Sequence, residues 1–269
     1  MTKKEAKTAV KKQPLVSIVT PVHNGKSFIG DTTRTVCGQT YTNWEWIVVD
    51  DNSDDETVEL LKQTWANLKS ERLVSGRLRL VQLKSNSGAA RARNAGICEA
   101  KGELLCFLDA DDLWKTNKIT KQVSFMQSQG CAFSFTGYEF TDATGKPNGK
   151  VVSVPNTITY NQALRNTTIW TSTVMFDMQQ LSHEDVLMPD VRRGQDTATW
   201  WKVLKKVDCA YGLNEVLSYY RRSAGSLSSN KLTALKRTWN LYRNVEHLGF
   251  CRSCECFVAY CFNAVKRRI

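Results

Sequence analysis

The chain has 269 residues, of which 42% are apolar and 23% charged, the balance of an ordinary soluble globular protein of one large α/β domain or one and a half small ones. No apolar run reaches the roughly 18 residues needed to span a bilayer, which excludes a transmembrane helix. The formal net charge of +11 points to an anionic partner: nucleic acid, phospholipid headgroups or a phosphorylated substrate. That charge is unevenly placed. Five lysines fall in the first twelve residues, and Lys266, Arg267 and Arg268 close the chain. Residues 1–13 read as a disordered basic tail, and their lysines lack the following apolar core of a secretory leader. Nine cysteines show no metal-like pairing. Cys251, Cys254 and Cys256 cluster near a single histidine, His247, so reduced thiols are the expectation and zinc the weaker alternative.

Strand and helix signals alternate through the first half. Leu15 to Thr20 is a short β-branched run. His23-Asn24-Gly25 breaks it, and Phe28, Ile29, Thr32 and Val36 then fit one helix face. Trp46 to Asp50 is a second strand. Ser53 with Glu56 three residues on reads as a capping box, opening a helix with Val58, Leu61 and Leu68 inward. Leu78 to Leu83 is a third strand, and a small-residue helix follows over 89–100. Leu104 to Ala110 is a fourth strand, with a helix over 114–129 after it. Such alternation implies right-handed crossovers and a mostly parallel sheet. After Gly130 the pattern changes. CAFSFTGYEF alternates apolar and polar residues, and TGKPNGK reads as a turn before VVSV, antiparallel material added to the sheet. A helix is expected over 192–207, and from Lys231 onward the pattern is helical again.

In an open α/β sheet, ligands gather at the carboxyl ends of the strands. The first strand ends in Thr20-Pro21, the second in Asp50-Asp51-Asn52-Ser53 and the fourth in Asp109-Ala110-Asp111-Asp112. Converging carboxylates repel one another unless a cation neutralises them. Asp109 and Asp111, two apart in an extended segment, point the same way. They are candidate ligands for Mg²⁺ or Mn²⁺, with diphosphate oxygens completing the shell; the bland reading is a loop that caps the next helix. A dinucleotide fold fails, because PVHNGK has one glycine where GxGxxG is required. No Walker loop, GxSxG elbow or HExxH helix is present.

The order SIVTPVHNG, QTYTNWEWIVVDDNSDDET, NSGAARARNAG and FLDADDLW resembles the family 2 glycosyltransferases, inverting enzymes of the GT-A fold. The resemblance runs from about Pro14 to Lys231, and QDTATWWKVL with YGLNEVLSYYRR is similar to members that assemble teichuronic acid and capsule. It implies a Rossmann-like nucleotide-diphospho-sugar transferase: a mostly parallel central sheet with helices on both faces, plus C-terminal helices. Residues 14–230 would form the catalytic domain, with a nucleotide-sugar half (14–113) and an acceptor half (114–230), and 231–269 a helical segment. Thr20 and Pro21 would border the base, and Asp51 would accept a hydrogen bond from a uracil imide. Arg91 or Arg93 would lie near the donor, unless that helix face packs on the sheet. Asp109 would touch the ribose or a metal-bound water, beside Ala110, and Asp111 would ligate Mn²⁺ or Mg²⁺. Asp196 matches the catalytic base, since inversion is one in-line displacement and needs one carboxylate to deprotonate the acceptor. Trp200, one turn on, would stack on the acceptor sugar or belong to the core.

Two departures stand out. Gln195 replaces a frequent Glu, and the segment after the base has Tyr220-Arg221-Arg222 where relatives carry His. Arg221, Arg222 and Ser226 become candidates for the diphosphate, or solvated loop residues. The implied donor is a UDP-sugar and the implied acceptor a glycan or lipid-linked oligosaccharide, at the inner face of the cytoplasmic membrane. A nucleotidyltransferase on a similar sheet is the rival enzyme. A basic nucleic-acid- or membrane-binding protein would explain the charge but not the aspartates at strand ends, so no nucleic acid is expected, and an oligomer is left open. In the last segment Phe257, Tyr260, Cys261 and Val265 share one side of a helix. Arg252, Lys266, Arg267 and Arg268 flank it. This pattern describes a helix in an anionic interface, or else one packed on the protein.

Overall fold

The computed structural model describes residues 13–165, 168–222 and 231–266; the first twelve residues, Ser226 and the chain's last three residues lie outside that set. The β-branched runs of the first half pair in parallel. β1 (Val16–Val22) lies between β2 (Trp44–Asp50) and β4 (Leu104–Phe107), and β3 (Arg77–Gln82) flanks β2. All seven residues of β2 are buried, as expected of a strand covered on both faces. The order β3-β2-β1-β4 places the reversal of connection direction between β1 and β4. A crevice opens at the carboxyl ends of two such strands.

The covering helices follow from side-chain alternation along the strands. Val16, Ile18 and Val22 of β1 face α1 (Ile29–Cys37), α2 (Thr57–Ser70) and α4 (Lys118–Gln129), while Val19 faces α3 (Ala89–Glu99). Alanines and a glycine on α3 let it lie close to the sheet: a Cβ on Gly96 would sit 2.5 Å from Val19 Cγ1 and 3.2 Å from Val49 Cγ2.

Beyond β4 the sheet becomes mixed. β9 (Met175–Asp177) runs antiparallel to β4 and to β6 (Phe133–Thr141), and the long β10 (Ala210–Arg221) returns parallel to β6. The short β5 (Leu113–Trp114) and β8 (Thr157–Ile158) pair antiparallel with β10, and β7 (Pro147–Val152) with β6. The expected strand over 104–110 stops at Phe107, and the expected helix over 114–129 starts at Lys118, because Leu113 and Trp114 pair with β10. The turn expected over TGKPNGK is shorter. Asp142 accepts from the amides of Thr144 (2.9 Å) and Lys146 (3.0 Å), and Pro147 already lies in β7.

Three further helices lie in the second half of the chain: α5 (Tyr160–Ala163), α6 (His183–Val186) and α7 (Gln195–Leu204), the last being the core of the helix expected over 192–207. The C-terminal segment forms α8 (Lys231–Asn240), a π-helical turn (Leu241–Val245) and α9 (Phe250–Lys266). Leu241, Tyr242 and Cys256 join the same apolar core as Phe107, Phe133 and Trp201. Of the two readings of the last helix, the side bearing Phe257 and Tyr260 follows the second and packs on the protein. Tyr260 is only 7% exposed, and Phe257 is half-buried. Val265 lies in the helix, but its side chain is outside the described set.

Gly96 tests the close approach of α3. Gly96→Ala is expected to destabilise the protein by about 1–3 kcal/mol through overpacking, read by urea unfolding. An unchanged midpoint would mean that α3 can shift on the sheet.

Candidate active site

The crevice is a cleft of about 370 Å³, within the size class of small-molecule sites. Its walls are Pro21 to Gly25 and Phe28 from the β1 end, Asp51 from the β2 end, Ala89, Ala92 and Arg93 from α3, and Asp109 to Asp111 from the β4 end. Hydrogen bonds between loops hold the first wall. The amides of Asn24, Gly25 and Lys26 donate to Ser53 Oγ (2.9 Å), Thr57 Oγ1 (2.8 Å) and Asp55 Oδ2 (3.1 Å). Asp54 N returns a bond to Asn24 Oδ1 at 3.0 Å. Ser53 is therefore engaged across loops and does not cap α2, which corrects the capping-box expectation; α2 begins with no side-chain cap. Asn24 (φ 50°) and Asn52 (φ 60°) take the left-handed turns this arrangement needs, a conformation asparagine tolerates better than most residues.

Asp51 closes the next wall. It is 3% exposed, and its carboxylate accepts from the amides of Ser87 and Gly88, each at 2.7 Å. The second lone pair on each oxygen is still available to a ligand in the cleft.

The third wall carries the aspartates. Arg93 pairs with Asp109 through an Nη2–Oδ1 contact, with Arg93's side chain 7% and Asp109's 21% exposed. Burial disfavours the guanidinium charge, and the carboxylates of Asp109, Asp196 and Asp112 more than restore it. Asp112 is fully buried. It accepts from Ser172 Oγ (2.6 Å), Trp170 Nε1 (2.9 Å) and the amide of Arg221 (3.3 Å). Burial, with Asp111 and Asp109 alongside, holds its carboxyl well above the usual range. Asp111 is pushed up to about 6, first by burial and then by the charge of Asp109. Two guanidiniums thus act on three neighbouring carboxyls, Arg93 paired with Asp109 and Arg221 lowering Asp111 from nearby. Among the described residues no group of three or more His, Cys, Asp or Glu is arranged to hold a metal by itself. Asp109 and Asp111, two carboxylates on the wall of one cleft, fit an ion that would take its remaining ligands from a diphosphate.

The base candidate lies across a short bridge. Asp196 is half-buried in the first turn of α7, and Thr171 Oγ1 donates to its Oδ2 at 3.4 Å. The same 3₁₀ turn, Thr171–Thr173, supplies Ser172, which bonds Asp112 and receives the amide of Asp109 at 3.1 Å. One turn therefore sets the spacing between Asp196 and the aspartate cluster.

The remaining expectations divide. Pro21, Ala110, Asp109, Asp111, Asp51 and Arg93 line the cleft. Thr20 does not: it is buried within β1, and its Oγ1 accepts from Trp46 Nε1 at 2.8 Å. Arg91 lies two positions from Arg93, hence on another helix face, in an exposed 2.7 Å pair with Asp190. Arg221 is buried beside the cleft. It donates to Asp31 Oδ2 and to Ala143 O, both at 3.2 Å, with its guanidinium 5.0 Å from the centroid of the Phe28 ring. Its charge lowers the pKa of Asp111. Arg222 instead lies 4.4 Å from the Phe140 ring centroid, away from the cleft lining. Ser226 is outside the described residues. Trp200 is a core residue, the second of the two readings open to it, and not an exposed platform. It is 3% exposed, with ring centroids 5.6–6.2 Å from those of Phe176, Phe133 and Phe107. One turn below Asp196, the helix has already passed under the rim. Sequence reasoning missed Asp112, Trp170, Ser172, Ser87 and Gly88. The DADD string contained the first, but no local pattern around 170 announced the turn.

Comparison with known proteins defines the class. The family model described as glycosyl transferase family 2 matches residues 17–187, and the chain belongs to that family. It is a glycosyltransferase of the GT-A fold. The chain is 44% identical over 257 residues to the putative teichuronic acid biosynthesis glycosyltransferase TuaG of Bacillus subtilis (strain 168), spanning 96% of this chain and 98% of that one. It is 34% identical over 232 residues to the UDP-Glc:alpha-D-GlcNAc-diphosphoundecaprenol beta-1,3-glucosyltransferase WfgD of Escherichia coli, covering 84% and 85% of the two chains. Among solved structures, S. aureus TarS 1-349 in complex with UDP-GlcNAc superposes with a TM-score of 0.66 at 19% identity, over 91% of this chain and 71% of that chain. The mannosyltransferase PcManGT from Pyrobaculum calidifontis, in complex with GDP-Man and Mn2+, gives 0.66 at 17% identity, over 93% and 69%. At these identities the structural likeness speaks for the fold alone.

The core assignment of Trp200 is testable. Trp200→Ala is expected to cost about 3–5 kcal/mol of stability, measured by urea unfolding. An unchanged unfolding curve together with weakened acceptor binding would restore the stacking role.

Proposed function

We propose that the chain transfers a sugar, with inversion, from a UDP-sugar to a hydroxyl of a glycan or lipid-linked oligosaccharide in bacterial surface polysaccharide assembly. The observation that carries this reading is the Thr171–Thr173 turn, which joins Asp196 to the Asp109–Asp112 cluster across one cleft. A single carboxylate on the acceptor side and an acidic pair on the donor side are what one in-line displacement requires. The TuaG and WfgD names, with the diphosphoundecaprenol acceptor of the latter, support the polysaccharide and lipid-linked parts. In this reading the reaction runs at the inner face of the cytoplasmic membrane, which the lipid-linked acceptor in the WfgD name supports.

The geometry supports the following roles. Pro21 and Asp51 border the nucleobase, Asp51 using the lone pairs that Ser87 and Gly88 leave unfilled. Arg93, pinned by Asp109, brings fixed positive charge to the diphosphate end without reorganising. Arg221 adds charge from the Phe28 side. Asp109 and Asp111 would hold Mn²⁺ or Mg²⁺, which would neutralise charge on the departing nucleoside diphosphate. Asp196 takes the proton of the acceptor hydroxyl as its oxygen bonds to the anomeric carbon and the bond to the β-phosphate oxygen breaks. Thr171 orients that carboxylate. No nucleophilic carboxylate is needed, because no covalent glycosyl-enzyme forms. The rival nucleotidyltransferase would release pyrophosphate; this reaction releases a nucleoside diphosphate.

Asp196→Asn is expected to lower transfer by about 10²–10⁴ while the affinity for UDP-sugar stays nearly constant, measured by steady-state kinetics and donor titration. Equal loss of donor binding and transfer would remove Asp196 from the acceptor side. Separately, chelator is expected to abolish activity and Mn²⁺ or Mg²⁺ to restore it. Asp111→Asn should cut turnover by orders of magnitude with an unchanged circular dichroism spectrum. Full turnover in excess chelator would defeat the metal assignment.

A further inference from the structure

α9 has two faces of different character. Cys256 and Tyr260 are buried against the catalytic domain, and Ser253 with them. On the opposite side Phe250, Val258 and Phe262 are 65%, 69% and 69% exposed. Among the described residues Leu73, Val151, Phe250, Val258 and Phe262 are large apolar side chains left exposed, and three of these five lie on this one helix. Their spacing by multiples of four stacks them in a row with Cys254, and Cys251 and Cys261 adjoin it. No charged residue falls in the row from Phe250 to Phe262, and Lys266, the next position at that spacing, ends α9. The nearby acids are already neutralised: Glu255 pairs with Arg165 and Arg252, and Glu246 with Lys205 and the Tyr160 hydroxyl.

Neighbouring α8 extends the surface. Trp239 meets Phe250 and Phe257 edge-on, at centroid distances of 6.1 and 5.5 Å. A shallow groove there is lined by Lys236, Trp239, Arg243 and Phe257. Charge concentrates in the same segment. Residues 231–269 hold eight lysines and arginines against two glutamates, so six of the eleven net positive charges lie there. Two such segments repel each other, whereas an anionic lipid surface attracts one.

The segment also touches the catalytic rim. Leu241 Cδ1 and Arg237 Cδ lie 2.7 and 3.3 Å from where a Cβ on Gly194 would be. Gly194 (φ 81°) opens α7, the helix that carries Asp196 in its first turn.

We propose that α8 and α9 form a seat for an anionic lipid surface. Phe250, Val258 and Phe262 enter the headgroup layer, and Lys236 and Arg243 meet lipid phosphate at its edge. The seat holds the Asp196 side of the cleft at the bilayer. The inference rests on the exposed row and its charge, and it stands or falls independently of the transferase chemistry.

The test is co-sedimentation of the full chain with vesicles of phosphatidylcholine, with and without phosphatidylglycerol. Binding is expected only to the anionic vesicles, and it should weaken as salt rises. The variant Phe250→Ser/Val258→Ser/Phe262→Ser should bind about tenfold less or weaker still, with UDP-sugar hydrolysis and thermal unfolding unchanged. Lys236→Gln should reduce the salt dependence while leaving the fold untouched. Failure of the intact chain to bind anionic vesicles at low salt would overturn the proposal, and so would equal binding by the triple variant. A dimer of the intact chain that the triple variant dissolves, seen by analytical ultracentrifugation, would assign the row to a second copy instead.

Discussion

The buried pair of Arg93 and Asp109 is the interaction on which the cleft depends. Three carboxyls within four residues at the end of β4 would repel one another and draw water into the switch point. Arg93 reaches them because Gly96 and the alanines of α3 let that helix lie against β1 and β2. The small residues on the helix and the charge balance at the strand end are therefore one constraint. Widening the helix–sheet contact would withdraw the guanidinium and leave the cluster uncompensated in a partly dry site, where unpaired charge is most costly.

The other aspartate of the cluster works differently. Asp112 faces away from the cleft and collects three donors from two segments: Trp170 and Ser172 before β9, and the end of β10 at Arg221. The mixed half of the sheet is thereby fastened to the parallel half at the active site itself. Asp109 and Asp111 open into the cleft, and Asp112 holds the wall on which they stand. The Thr171–Thr173 turn extends that wall to Asp196. The aspartate cluster and Asp196 are thus positioned by the same few hydrogen bonds, which is how preorganised sites keep their geometry during reaction.

The C-terminal helices pack beside α7. The Tyr242 ring stacks on Trp201 with centroids 5.3 Å apart, and its hydroxyl bonds the carbonyl of Leu164. α8 and the π-helical turn press on Gly194 at the start of α7. The helices that present an exposed apolar row are thus in contact with the helix that presents Asp196, so the surface and the chemistry are mechanically close.

The sequence by itself determined the parallel half of the sheet. Uninterrupted β-branched runs spaced by amphipathic stretches leave few other topologies. It also determined that the strand-end aspartates, Asp51, Asp109 and Asp111, converge, since every parallel strand ends on one edge. Only the tertiary structure decided between equivalent readings of a helix face. Arg91 and Arg93 differ by two positions, yet one is an exposed pair with Asp190 and the other the buried partner of Asp109. Trp200 and Asp196 are one turn apart, yet only Asp196 reaches the rim, because the phenylalanines of β4, β6 and β9 fill the space beneath. Tyr260, expected at a lipid interface, is packed inward, while Phe250, Val258 and Phe262 remain outside. Periodicity says that residues share a face; it does not say which face the rest of the chain will cover. Likewise no local pattern marks Ser172 or Trp170, because their partner Asp112 lies about sixty residues earlier in the chain, a contact that exists only once β9 has inserted between β4 and β6.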